Sequence, residues 1–84
     1  MNMKVKVKVA EKNRQILEIQ TPVIRLDAAL KLANAVSTGG QAKFVIQEGL
    51  VKVNGELCTQ RGKKLREGDI FAFEHQLYEV RQCT

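Results

Sequence analysis

Apolar and polar residues alternate without a break from Met3 to Val9, which is the period of a strand with one buried face. Such a strand would turn Val5, Val7 and Val9 to the core and Lys4, Lys6 and Lys8 to water. Polar residues 11–14 form a turn, and residues 15–20 (QILEIQ) read as a second strand closing a hairpin before Thr21-Pro22. From Leu26 to Val36 the period becomes helical, with Leu26, Ala29, Leu30, Ala33 and Val36 on one stripe. Asp27 stands in the first turn, favourable to the helix dipole, four residues before Lys31. Residues 37–40 (STGG) end this helix and open another. Thr38 is placed to cap it, Ala42, Val45 and Ile46 face inward, and Gly49 stops it.

The remainder is punctuated like a series of hairpins. Asn54-Gly55 between residues 50–53 (LVKV) and 56–58 (ELC) predicts a tight primed turn. Residues 60–67 read as a loop, Gly68-Asp69 leads into residues 70–73 (IFAF), and residues 74–76 turn the chain into 77–80 (LYEV). The pattern predicts one α+β domain over residues 1–84. Two helices pack on a small antiparallel sheet of four or five strands, and residues 1–20 add an N-terminal hairpin.

Charge narrows the choice of function. Fourteen Lys and Arg against nine Asp and Glu give +5 and a pI near 9.5 on 84 residues. A polyanionic partner, nucleic acid or an acidic membrane surface, suits that balance, although surface charge for solubility can produce it too. The excess is uneven: it is concentrated in residues 1–9 and 37–68, while residues 69–84 are net acidic. Cys58 and Cys83 have neither metal-ligand spacing nor a disulfide framework and read as reduced thiols. No apolar run is long enough for a signal peptide or a membrane span, so a cytoplasmic protein without membrane contact is expected. His75, the one histidine, lies in a predicted turn, and no phosphate loop, metal cluster or nucleophile elbow is present. The expectation is a chain without catalytic activity, cofactor, metal or small-molecule substrate.

Phosphate recognition needs cations on flexible stems or unpaired amides at a helix start. Arg61, Lys63, Lys64 and Arg66 place four cations within six positions, with Gly62 freeing the backbone; the competing reading is a solvated loop. Gly39 and Gly40 could expose amides at the start of the second helix beside Lys43, or simply permit a sharp turn between helices. Gln41 and Gln47 offer amides to a sugar or base edge, though exposed amides are often inert. Phe44 falls off the apolar stripe, where it either stacks on an unpaired base or packs at the edge of the core. Lys52 and Lys31 could extend the basic surface. Lys4, Lys6 and Lys8 serve more simply to keep an edge strand from aggregating.

Several of these pieces occur in an order met elsewhere. Arg25-Leu26-Asp27 with Leu30, then Ala42, Val45-Ile46, Gly49, Val51, Val53-Asn54-Gly55, Leu65 and Gly68-Asp69 resemble the S-four RNA-binding domain, or alpha-L motif, named after small-subunit ribosomal protein four. The resemblance covers residues 25–73. Residues 39–44 (GGQAKF), 53–56 (VNGE) and 61–65 (RGKKL) are similar to the short stand-alone bacterial members, the YaaA-like proteins. The resemblance implies a two-helix unit on an antiparallel sheet that binds structured RNA, often ribosomal RNA or a ribosomal particle. Many members carry Ser-Arg-Ser where this chain has Thr38, Gly39 and Gly40, and basic residues where it has Phe44 and Gln47. Only Lys43 keeps its charge on that helix, so the segment 61–66 must supply more of the attraction. The expected protein is an RNA-binding monomer. The alternative is an interaction adaptor or targeting subunit whose basic face meets an acidic partner.

Overall fold

The computed structural model describes residues 14–83. The alternating segment Met3–Val9, its proposed hairpin and its lysines therefore lie outside the described residues. In chain order the elements are β1 (Gln15–Ile19), β2 (Ile24–Arg25), α1 (Leu26–Leu32), α2 (Gly39–Gln47), β3 (Val51–Val53), β4 (Glu56–Leu57), β5 (Lys64–Leu65), β6 (Ile70–Phe73) and β7 (Gln76–Gln82). Five strands form one sheet in the order β1-β7-β6-β3-β4, and β2 and β5 form a separate antiparallel pair. The α+β architecture is thus as the pattern predicts, with a mixed rather than wholly antiparallel main sheet. Neighbours from β7 to β4 are antiparallel, whereas β1 joins β7 in parallel, Gln15 opposite Tyr78 and Ile19 opposite Gln82. The β3–β4 and β6–β7 pairs follow from tight turns, whereas β3 and β6 meet across the β4–β5 excursion. β1 and β7 are joined by nearly the whole intervening chain, which leaves their relative direction free.

Local chemistry sets the helix ends. The Thr38 hydroxyl accepts a hydrogen bond from the Gln41 amide at 3.0 Å, and the Gln41 side-chain oxygen accepts one from the Ser37 amide at 2.9 Å. Together they close the start of α2 with two reciprocal bonds, much as a capping box does. Thr38→Ala is expected to cost about 1 kcal/mol and to lower the melting temperature by roughly 4–8 °C for a domain of this size, as thermal denaturation would read. At the other end, the Gly49 amide donates to Ile46 O and the Leu50 amide to Val45 O, with Gly49 at φ 78°. This is a Schellman ending.

The same motif ends α1 earlier than its stripe predicts. Asn34, at φ 62°, takes the left-handed position; its amide donates to Lys31 O, and the Ala35 amide donates to Leu30 O. Asparagine tolerates that conformation better than most residues. Val36 still reaches the core at 4% exposure, delivered by the turn rather than by the helix.

The hairpins are equally local. Asn54 and Gly55 both have positive φ (52° and 86°), as a primed turn requires. The Asn54 side chain donates to Asp69 Oδ1 and accepts from the Ile70 amide, so the Asn-Gly and Gly-Asp turns are bonded to each other. Glu74 and His75 also have positive φ, in the tight turn joining β6 to β7.

One hydrophobic cluster lies between the helices and the inner face of the main sheet. It gathers Leu26, Ala29 and Leu30 from α1, Ala42, Val45 and Ile46 from α2, and Val51, Val53, Phe71, Phe73, Tyr78, Val80, Leu17 and Ile19 from the strands. Phe71 stacks on Tyr78 with ring centroids 4.9 Å apart, and burial, with Glu74 adding, pushes the Tyr78 hydroxyl pKa upward. At the β1 edge, Glu79 bonds Arg81 at 3.2 Å and Arg14 at 3.4 Å, and these guanidiniums hold its carboxyl below the usual range. The apolar side of the sheet positions α1 and α2 as an outer layer.

Candidate nucleic-acid interface

The segment predicted as the loop 60–67 is not loose. Its middle is β5, antiparallel to β2, with Ile24 opposite Leu65 and Arg25 opposite Lys64. Leu65 is fully buried while Lys64 and Arg66 on either side are exposed, so one side chain anchors the strand and its neighbours point to solvent. Two backbone bonds add to this: the Leu26 amide donates to Lys63 O at 2.8 Å and the Asp27 amide to Arg61 O at 3.2 Å. The first amides of α1 lack intrahelical backbone partners, and Arg25 before the helix gives no side-chain cap, although Asp27 Oδ1 accepts from the Ala28 amide at 2.7 Å. Carbonyls of the cationic segment take that role, which fixes residues 61–64 against the start of α1.

This docking has an electrostatic consequence. Arg25 and Lys64 are directly opposite in the two-stranded ladder and both exposed, an arrangement that like charges make unfavourable. Asp27 relieves it in part through a 3.1 Å bond to the Arg25 guanidinium. A Cβ on Gly62 would lie 4.0 Å from Arg25 Nη2, which puts the guanidinium over the glycine. Arg61, Lys63, Lys64 and Arg66 are all exposed, and none has an ion-pair partner among the described residues. An anion placed here would meet cations that the protein itself leaves uncompensated.

The surface continues onto the helices through a cleft of about 220 Å³ lined by Arg25, Asp27, Ala28, Lys31 and Gly39. Gly39 is the first residue of α2, and Lys43 follows it one turn later on the same side of the helix. The cleft sets Lys31 and Gly39 beside Arg25, the strand partner of Lys64, and Lys43 lies one helical turn beyond Gly39. Gly40, Lys43, Phe44 and Gln47 form the outward side of α2, away from buried Ala42, Val45 and Ile46. Phe44 is 60% exposed, which removes it from the edge of the core. The side-chain oxygen of Gln41 is committed to the cap.

Lys52 is not brought to this surface. It alternates with Val51 and Val53, whose side chains enter the core, and so projects from the opposite face of the sheet. There it borders a groove with Gly49, Leu50, Ala72, Phe73, Glu74 and His75. Arg25, by contrast, is central to the surface yet does not stand out from charge spacing, because it is a lone cation in an acid-balanced stretch. Its signal was the Arg-Leu-Asp opening of α1. A larger cleft, about 320 Å³, runs beside β4, but it is lined by one cation, Lys63, and one acid, Glu56. Charge, not volume, marks the smaller one. Among the described residues no group of His, Cys, Asp and Glu could hold a metal ion.

The model of the S4 domain matches residues 17–81. The chain belongs to the S4 domain family. A protein of Bacillus subtilis (strain 168) named "Probable ribosome maturation protein RlbA" is 41% identical over 58 residues, covering 69% of this chain and 82% of that one. The S4 domain match includes both helices, the β2–β5 pair that carries Arg25 and Lys64, and the sheet up to Arg81. Membership in this family points to an RNA-related function. Among the described residues of this S4 domain, no helix is long and apolar enough to cross a membrane.

Proposed function

We propose that this protein binds structured RNA, most naturally ribosomal RNA, through the surface formed by Arg25, Lys31, Lys43, Arg61, Lys63, Lys64 and Arg66, and that it acts without catalysis. It would work in the cytoplasm as a monomer. The observation that carries the reading is the opposed Arg25–Lys64 pair beside three further cations with no acid in ion-pair range among the described residues. Keeping like charges apposed on a rigid ladder costs stability, and a phosphate backbone is the partner that turns the cost into binding energy. The name of the B. subtilis relative speaks of ribosome maturation, which supports a ribosomal target.

The mechanism is electrostatic capture followed by selection on shape. The cations release counterions from the RNA, and the fixed spacing between the 61–66 segment and the start of α2 selects backbones that present phosphates to both. Gly39 and Gly40 add amides at the positive end of the α2 dipole, beside Lys43. Gln41 and Gln47 would contribute only secondary polar contacts, and Lys52, on the other face, none.

If about four phosphates are neutralised, the logarithm of affinity should fall with that of salt at a slope of roughly −3 to −4. Affinity for ribosomal RNA would then drop on the order of a hundredfold between 50 and 200 mM salt, as measured by filter binding. A flat salt response would remove the reading. Retention of cellular partners after ribonuclease treatment would favour an adaptor that meets an acidic protein.

A further inference from the structure

We propose that Phe44 is a stacking platform for an unpaired base, so that the RNA bound on the cationic surface carries a single-stranded nucleotide beside its paired region. This rests on the RNA-binding reading above and adds the class of RNA. The starting observation is a large aromatic ring left 60% exposed on a helix whose inward positions Ala42, Val45 and Ile46 fill the core. Burial in that core is not open to it, since Phe44 points the other way round the helix.

The surroundings of the ring fit a base better than they fit another protein. A helical side chain covers the turn before its own Cα, which for Phe44 is the turn holding Gly40. A Cβ added at Gly40 would meet only Thr38 Oγ1, at 4.0 Å, and one added at Gly39 would meet nothing within 4 Å. The helix surface at these two glycines is therefore open. Lys43 and Gln47, both exposed, flank it on the same side of α2. Phe44 is the one apolar side chain among Gly40, Lys43, Phe44 and Gln47, so this helix face lacks the continuous apolar area that a protein interface core would need. A base needs a single flat face, a cation for the adjoining phosphate and an amide for its edge. All three are present within one turn.

Within an A-form duplex the faces of the bases are hidden by their neighbours and the major groove is too narrow for side chains. An exposed ring gains nothing from such a partner. Only an unstacked nucleotide in a loop, bulge or end can lie on it, and this stacking is tolerant of base identity.

The chain contains no tryptophan, so Phe44→Trp creates a unique emission reporter. The probes are a stem–loop RNA with an adenosine-rich loop and a blunt duplex carrying the same stem. Quenching of the Phe44→Trp emission by the stem–loop and not by the duplex is expected. Phe44→Ala and Phe44→Leu, with unchanged circular dichroism, should bind the stem–loop on the order of tenfold or more weakly, keep duplex affinity, and leave the salt slope unaltered. Equal binding of the stem–loop by wild type and Phe44→Ala, without quenching of the tryptophan, overturns the proposal while the RNA-binding reading stands. An equal loss for both RNAs overturns it too, since it makes the ring structural. If wild type binds neither RNA at low salt, the basic surface itself is refuted, and the platform with it.

Discussion

A protein carrying Lys63→Glu, Lys64→Glu and Arg66→Glu is expected to lose detectable affinity for RNA while melting at the wild-type temperature or slightly above it. The loss follows from position: the three exposed cations stand on a segment held to α1 and β2, and reversing them turns a net charge of +5 slightly negative. Three attractive phosphate contacts become three repulsive ones. The retained stability follows from the backbone. The Lys63 carbonyl accepts from Leu26, and the Lys64 main chain pairs with Arg25, whatever their side chains are. A glutamate at position 64 would moreover face Arg25, exchanging a cross-strand repulsion for an attraction of a few tenths of a kcal/mol. Filter binding combined with a thermal melt reads both halves. RNA affinity surviving in the folded variant would remove the 61–66 segment from the site.

Leu65→Ala should have the largest effect on stability of any change within the cationic segment. Leu65 is fully buried in the same cluster as Leu26 and Phe71, and replacing it deletes methyl groups and leaves a cavity, for a cost of about 2–5 kcal/mol. Domains of this kind are held by only about 5–15 kcal/mol in total, so much of the margin disappears. Urea denaturation measures the loss. Leu57→Ala is the matched control, because Leu57 is 61% exposed and its truncation should change stability by no more than about 0.5 kcal/mol. A shift in Leu65→Ala no larger than that control would mean that the strand is not anchored as described. In the surviving folded fraction of Leu65→Ala, RNA binding should also weaken, because this one side chain keeps Lys64 and Arg66 outward.

The parts of the fold that could be read from sequence are those with local causes. Thr38 before an amide-bearing third position, Gly49 after an apolar stripe, and Asn54-Gly55 between short apolar runs all act within a few residues, and each behaves as its chemistry dictates. The early end of α1 also has a local cause, but Asn34 lies in a run (Leu-Ala-Asn-Ala) whose periodicity masks it. β2 and β5 were hidden for a different reason. Each is only two residues long, and Leu65 stands alone among cations, so no alternation can form around it; its burial is decided by α1 and Ile24, far away in the chain. The same is true of the site. Clustered charge made the 61–66 segment visible, whereas the importance of Arg25 depends on a strand partner forty residues distant, and the separation of Lys52 depends on which side of the sheet the helices cover.

The parallel alignment of β1 with β7 also bears on how the molecule assembles. The Gln15–Ile19 stretch finds its hydrogen-bonding neighbour among the described residues in Gln76–Gln82, and the Cys83 amide closes the ladder on Ile19. During synthesis the helices and the Asn-Gly hairpin can collapse while that ribbon still lacks its partner in β7. Joining it requires the most distant loop closure in the described chain, and such closures are entropically slow. The domain therefore fastens as a clasp does, and the earliest-made of its described strands is among the last to be secured.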